Sequence, residues 1–137
     1  MTIIVCVDDH YGMLFNRRRQ SQDSQVRQRM LDIADGSRLR MNGYSAKQFA
    51  DQEGITVSED FLSAADQADI CFVEHIDPAA YLQNCDRLVL YYWNRNYPAD
   101  LYFPADALKA YTLVSSTEFA GTSHDTITET IYEKRNA

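Results

Sequence analysis

The sequence predicts an α/β fold with a mainly parallel central sheet and an antiparallel hairpin at its C-terminal end. Three observations carry that expectation. Ile3–Val7 and Ile70–Val73 are short, wholly apolar runs, the pattern of strands buried on both faces. Segments with apolar residues at helical spacing separate the strand-like runs between residues 20 and 84. Beyond that point strand-like runs follow one another without helices, which calls for antiparallel pairing.

Met1-Thr2-Ile3-Ile4-Val5 carries no basic leader or small-residue cleavage site and reads as the start of the first strand. Asp8-Asp9-His10-Tyr11-Gly12 ends that strand and opens an irregular loop through Arg19. Ser21 or Asp23 suits the N-cap of a helix with Val26, Met30, Ile33 and Ala34 on one face, and Gly36 suits its C′ position. Arg38–Met41 alternates and predicts a strand. Ser45 predicts the cap of a short helix through Phe49 to Gln52, after which Gly54 turns the chain into the strand Ile55–Val57. Ser58, with Glu59 and Asp60 in the first turn, predicts a helix holding Phe61, Leu62 and Ala65. Pro78 suits the first turn of a helix with Tyr81 and Leu82. Arg87–Trp93 is the longest strand. A loop with Pro98 and Pro104 follows, and Ala110–Ser116 pairs with Thr126–Glu133 as the closing hairpin. No repeat or linker interrupts the pattern, so residues 1–137 are expected to form a single domain.

Composition narrows the function classes. The chain is 45% hydrophobic and 24% charged, ordinary for a globular protein. No apolar run approaches the roughly 18 residues that span a bilayer, so no membrane partner and a cytoplasmic location are expected. A net charge of −7 argues against nucleic acid as a partner. The charge is uneven: residues 17–40 carry seven arginines against three aspartates, a local +4 within a remainder of −11. Such asymmetry marks either an anion site or a solvated helix face with its approaching loop. Cys6, Cys71 and Cys85 form no CxxC pair, and the expectation is buried, reduced thiols.

Local motifs fall in the order of one known family. Val5-Cys6-Val7-Asp8-Asp9-His10-Tyr11-Gly12-Met13, with Asn16 beyond it, resembles the first strand and mobile active-site loop of dihydrofolate reductase. Gly36 to Phe49 is similar to that family's helix end, second strand and cofactor-binding turn. Cys85-Asp86-Arg87-Leu88 resembles its Ala-Asp-Arg-Leu, and Ala99-Asp100-Leu101-Tyr102-Phe103-Pro104 its Gly-Asp-Thr-Tyr-Phe-Pro. Leu113–Ser116 and Ile131–Glu133 match its closing hairpin. The resemblance implies a dihydrofolate reductase-like three-layer sandwich. Gly12 to Ser21 also resembles a segment of short proteins of clostridial bacteria, sometimes labelled ribonuclease Z. That enzyme needs a His-x-His-x-Asp-His cluster for two zinc ions. With only His10, His75 and His124, none so spaced, no metal site of that kind is expected here.

The departures from the reductase pattern concern its chemistry. The family's catalytic carboxylate aligns with Val26, and Asp23 is the nearest acid, about one helical turn earlier. The threonine that supports the carboxylate aligns with Tyr91. The family's Gly-Arg-x-Thr cofactor turn corresponds to Asn42-Gly43-Tyr44-Ser45, which lacks the arginine. Its Gly-Gly pair falls among Val73, Glu74 and His75, whose side chains would obstruct a cofactor. Dihydrofolate reduction, and with it the need for a cofactor, is therefore not expected.

Other chemistry stays open. The resemblance puts the ends of the first and fifth strands side by side, bringing Asp8, Asp9 and His10 near Glu74 and His75. That group would cover a vacated groove, bind a metal, or use His10, Glu74 and His75 for acid–base work. Arg17, Arg18 and Arg19, with Tyr44 and Ser45 across the groove, suit a small anionic or phosphorylated ligand, because guanidinium groups present donors in a planar fork. They would equally serve as an exposed loop paired with acidic surface. Tyr91, Tyr92, Trp93, Tyr97, Tyr102 and Phe103 divide between core and a surface that could hold a homodimer contact. The leading expectation is a binding or regulatory module for a small anionic ligand or a protein partner. An enzyme of different chemistry is the alternative.

Overall fold

Alternation along buried strands builds a sheet with both faces covered. In the computed structural model, which describes residues 1–50 and 52–135, strands β1 (Thr2–Val7), β2 (Gly12–Phe15) and β3 (Arg18–Arg19) lead into helix α1 (Ser24–Ala34). Strand β4 (Leu39–Met41), the short helix α2 (Gly43–Ala46), β5 (Ile55–Val57) and β6 (Ile70–Phe72) follow. The chain continues through β7 (Arg87–Tyr92), β8 (Leu101–Tyr102), β9 (Tyr111–Phe119) and β10 (Ile127–Lys134). The main sheet has the order β5-β4-β6-β1-β7-β10-β9. Its first five members run parallel, and β10 and β9 are antiparallel additions at one edge.

Because side chains alternate, Ile3, Val5 and Val7 of β1 enter one apolar cluster and Ile4 the other. The first cluster packs Leu88 and Leu90 of β7 against Met13, Leu14, Phe61, Leu62, Leu82 and Phe103. The second packs Val89, Tyr91 and Phe72 against Val26, Met30 and Ala34 of α1. The result is the three-layer, mainly parallel arrangement expected from the sequence. Asp23, not Ser21, caps α1: its carboxylate accepts the N–H groups of Gln25 at 2.8 Å and Val26 at 3.3 Å. Gly36 follows the helix at φ +78°, a left-handed conformation that a side chain would strain.

The irregular loop expected from Asp8 to Arg19 is instead a hairpin, β2–β3, which joins β8 in a separate three-stranded sheet. Asn16 and Arg17 form its turn at φ 51° and 62°, a pairing that the asparagine alone hinted at. The helix expected from Ser58 does not form, and 58–65 is a series of turns. Arg40 Nε donates to the Phe61 carbonyl at 3.0 Å, the acceptor that the Ala65 N–H would need; that N–H bonds to Leu62 instead. Ser45 does not cap its helix. Asn42 does, accepting the Ser45 N–H at 3.0 Å, and the helix gives way to a 3-10 turn over Lys47–Phe49. The expected continuation to Gln52 crosses residue 51, outside the described residues. The segment Pro78–Asn84 is likewise 3-10, capped by Asp77. The closing hairpin is longer than expected and carries a register shift between Ile131 and Tyr132.

One ion pair ties α1 to the antiparallel edge. Glu129 of β10 lies within the run Ile127, Glu129, Ile131 that faces α1, and is buried. Arg29 grips its carboxylate through two bonds of 2.9 and 3.0 Å, and the buried Tyr91 hydroxyl donates at 2.8 Å. Burial alone would raise the Glu129 carboxyl, but the Arg29 and Tyr91 hydrogen bonds overcome it and hold it below its usual range. A folded pKa below the unfolded one stabilises the protein above the unfolded value, and the gain is lost as pH falls through the folded one. Melting temperature should therefore decline on acidification below about pH 4.3, and Glu129→Gln should flatten that decline. Melting curves of both proteins from neutral to acid pH check it; parallel curves would refute the assignment.

Candidate functional site

The carboxyl ends of the parallel strands are where an open α/β sheet gathers its polar groups, and here two buried carboxylates collect most of the donors. Asp8, at the end of β1, is 1% exposed. Its Oδ1 accepts the N–H of His10 at 2.9 Å and of Gly12 at 2.7 Å. Its Oδ2 accepts from the Gln20 side chain at 3.0 Å and the Tyr97 N–H at 3.2 Å. One carboxylate thus holds the base of the β2–β3 hairpin and the loop after β7 against the sheet. A Cβ on Gly12 would lie 2.6 Å from the Ala99 Cβ and 2.7 Å from Asp8 Oδ2, so the close approach requires glycine.

Glu74, just past β6, is the second buried acid. Its carboxylate accepts from Arg19 Nε at 2.9 Å and Nη2 at 3.2 Å, from Ser45 Oγ at 2.7 Å and from Gln48 Nε2 at 3.0 Å. Arg19 is fixed in turn by Tyr44. The guanidinium lies over the Tyr44 ring at 4.1 Å and donates to its carbonyl, while the Arg19 N–H donates to the Tyr44 hydroxyl. The His75 ring also packs on Tyr44, at 3.9 Å between centroids, and its Nε2 is buried without a hydrogen-bond partner among the described residues. Burial lowers the His75 pKa, Glu74 pulls it upward and Arg19 lowers it further. The ring is therefore neutral at pH 7.

The expected residues divide accordingly. Arg19, Tyr44, Ser45, Glu74 and His75 come together as one cluster. His10 does not join them: it is exposed, and its only bond among the described residues is through its backbone N–H. Arg17 and Arg18 are exposed on the hairpin, with no carboxylate partner among the described residues. No group of three or more His, Cys, Asp or Glu side chains is placed to hold a metal ion among the described residues. Cys71 and Cys85 are buried, and burial pushes the Cys71 thiol up to about 12. Cys6 is half-buried and its thiol is also raised, by burial and then by the nearby Glu74 and Asp23 charges.

No family model and no curated protein matches the chain. Among solved structures, dihydrofolate reductase from Enterococcus faecalis, complexed with NADP(H) and RAB-propyl, superimposes with a TM-score of 0.68. The match covers 98% of this chain and 96% of that one, at 12% identity. The likeness is one of fold.

Within that fold Val26 is 2% exposed and packed in the apolar cluster beneath α1. Asp23, the nearest acid, is committed to other partners: besides capping α1, its Oδ2 accepts from the Ser123 N–H and Oγ, both at 2.7 Å. Ser123 Oγ is 2.6 Å from His124 Nδ1, and His124 Nε2 is 2.6 Å from the Tyr97 hydroxyl. His124 stacks on Trp93 at 4.9 Å. Burial would raise Asp23, but hydrogen bonds from Ser123, Gln25 and Val26 bring it below its usual value. This chain, Gln48 and the Arg29–Glu129–Tyr91 group were not found from sequence. The one legible signal was Glu129, a charge at an apolar position of an alternating strand.

His75 and His124 should both titrate below the usual histidine value of about 6.5. Glu74→Gln, which removes the charge favouring the imidazolium, should lower His75 further and leave His124 unmoved. Imidazole proton shifts followed by NMR decide the matter; an upward move of His75 in the variant would contradict the assignment.

Proposed function

We propose that this protein is a binding module for a small anionic or phosphorylated ligand, with Glu74 holding the anion-binding cradle in the ligand-free chain. The observation that carries the reading is the convergence of Arg19, Ser45 and Gln48 on one internal carboxylate. Charge-assisted, bidentate donors of this kind recognise carboxylates and phosphates generally. Tyr44 fixes the guanidinium, and the unpartnered His75 Nε2 beside it is a further polar atom a ligand could engage. A ligand phosphate that displaces Glu74 would take over its donors, and the freed carboxylate would turn toward water.

The same geometry speaks against the reaction of the fold's namesake. Ser45 and Glu74 are bonded across the position where the resemblance expects a nicotinamide cofactor to pass, and Arg19 closes the gap. The residues present do not fit that cofactor. The buried Val26 offers no proton to a substrate. Acid–base catalysis by His10, Glu74 and His75 has less support than binding, since His10 stands apart from the other two.

Glu74→Gln should leave Arg19 without its counter-charge and destabilise the chain by about 2–3 kcal/mol. Added inorganic phosphate or pyrophosphate should restore much of that loss, because a ligand at about a hundred times its Kd contributes about 2.7 kcal/mol. The wild type should respond less, and Arg19→Ala in the Glu74→Gln background should not respond at all. Thermal shift measurements of the three proteins test this. Equal anion response in wild type and Glu74→Gln, or strong stabilisation of the wild type by NADPH, would sink the proposal.

A further inference from the structure

The β2–β3 hairpin projects from the sheet end, and the side chains of Arg17 and Arg18 at its tip have no carboxylate partner among the described residues. Leu14 pairs with Arg19 and Phe15 with Arg18, leaving Asn16 and Arg17 as a two-residue turn with positive φ at both positions. That turn matches the twist of paired strands but favours glycine at its second position. Arg17, at φ 62°, therefore holds a left-handed conformation that its side chain disfavours. Strain of this kind persists where its surroundings hold it and invites a functional explanation. The surroundings are plain: β8 pairs along the hairpin, the Asp100 N–H donates to the Leu14 carbonyl, and the Asp100 carboxylate accepts the Asn16 N–H at 3.0 Å. Arg19 anchors the base through Glu74. What is held outward is Phe15, 48% exposed, with Arg17 and Arg18 exposed beside it and Tyr102 50% exposed on β8.

At the other end of the strands lies a surface of complementary character. A cleft of about 640 Å³ opens beside the starts of β6 and β7. Its lining is largely polar, with Ser63, Gln67, Gln83 and Asn84, but Leu62 and Tyr81 give it an apolar part and Asp66 and Asp86 give it carboxylates. Each aspartate already has one cationic neighbour, Arg38 for Asp66 and the Met1 amine for Asp86. Their side chains nonetheless remain 63% and 74% exposed. β1, β6 and β7 are parallel, so the cleft sits at their amino ends and the hairpin at their carboxyl ends. Six-residue strands separate the two by roughly 20 Å, so the hairpin of one chain does not reach its own cleft.

We propose that the hairpin tip of one copy docks in the acidic cleft of a second copy, giving head-to-tail self-association. Phe15 meets the apolar part of the lining and Arg17 and Arg18 meet Asp66 and Asp86. A second copy of the chain supplies the complementary surface, because Arg17 and Arg18, without a carboxylate partner among the described residues, belong to a molecule of net charge −7. The contact uses two different surfaces, so it is heterologous and continues into a ring or a filament rather than stopping at a two-fold dimer. Being exposed and charge-paired, it weakens with salt.

Sedimentation velocity at low and high salt tests the arrangement. The wild type should associate with rising concentration at low salt and dissociate at high salt. Arg17→Glu with Arg18→Glu, and separately Asp66→Lys with Asp86→Lys, should each weaken association by more than about tenfold, since like charges then face one another. An equimolar mixture of the two variants should associate again, because the Arg hairpin of one meets the native aspartates of the other and the Glu hairpin of the other meets the introduced lysines. Melting curves confirm that both remain folded. Should the double aspartate variant lose its native melt, Asp86→Lys alone mixed with Arg18→Glu serves the same purpose. A wild type that stays monomeric at every concentration overturns the proposal, including where its hairpin binds an acidic peptide instead. Association that ignores both charge reversals, as pairing through the exposed β9 edge would, overturns it too, and so does a mixture that fails to re-associate.

Discussion

Glu74 cannot lie buried unless donors come to it, and the segments that supply them are those that make up the carboxyl end of the sheet. Arg19 comes from the β2–β3 hairpin, Ser45 and Gln48 from the turn after β4, and Glu74 itself from the end of β6. An unpaired buried carboxylate costs several kcal/mol, whereas one with four donors is tolerated. The hairpin, the α2 turn and the sheet are thereby fixed relative to one another through a single functional group. Any ligand that acts at this end must compete with that arrangement, which is why the internal carboxylate is central to the binding proposal.

The same rule operates at the other buried acids, among them Asp69 held by Arg38, and together they define how this chain departs from an oily core. Asp8 secures the hairpin base, Asp23 couples the start of α1 to the turn between β9 and β10, and Glu129 couples α1 to β7 and β10. At Asp23 and Glu129 hydrogen bonds to the charged form outweigh desolvation and lower both carboxyls below their usual range. Part of the acidic excess in the composition is therefore structural. The exposed remainder, around Asp66 and Asp86 for instance, is what a basic surface would meet.

The centre of the sheet was legible in the sequence because burial on both faces demands continuous apolar runs, which Ile3–Val7, Ile70–Phe72 and Leu88–Tyr92 offer. The helix α1 was legible for a related reason, its spacing of Val26, Met30 and Ala34. Segments governed by side-chain to backbone bonds were not. Arg40 takes the carbonyl that a helix at Phe61 would need, and Asn42 takes the amide that left Ser45 free to bond Glu74. Those contacts span 21, three and 29 residues, and only the first and last depend on distant chain. The β2–β3 hairpin was hidden for another reason: Asn16-Arg17 lacks the glycine that ordinarily announces such a turn. Of the candidate site, residue types that bind anions were recognisable, but which of them meet was decided by the hairpin that the sequence concealed.

That concealment bears on how the scaffold can carry a new function. The framework of a reductase fold needs alternating strands, a covering helix and a closing hairpin, and none of these requires a particular residue at the strand ends. Positions there are free to change as long as each buried polar atom finds a partner. The Arg19–Glu74 clamp meets that condition for the buried carboxylate and pins the hairpin base, which is also held at Asp8. A rigid base is what permits Arg17 to hold a left-handed conformation at the tip, because a mobile loop would relax it. Cradle and projection are thus one mechanical unit. An anion that displaced Glu74 would loosen the hairpin, and with it any contact the tip makes, so binding at the cradle and docking at the tip should oppose one another.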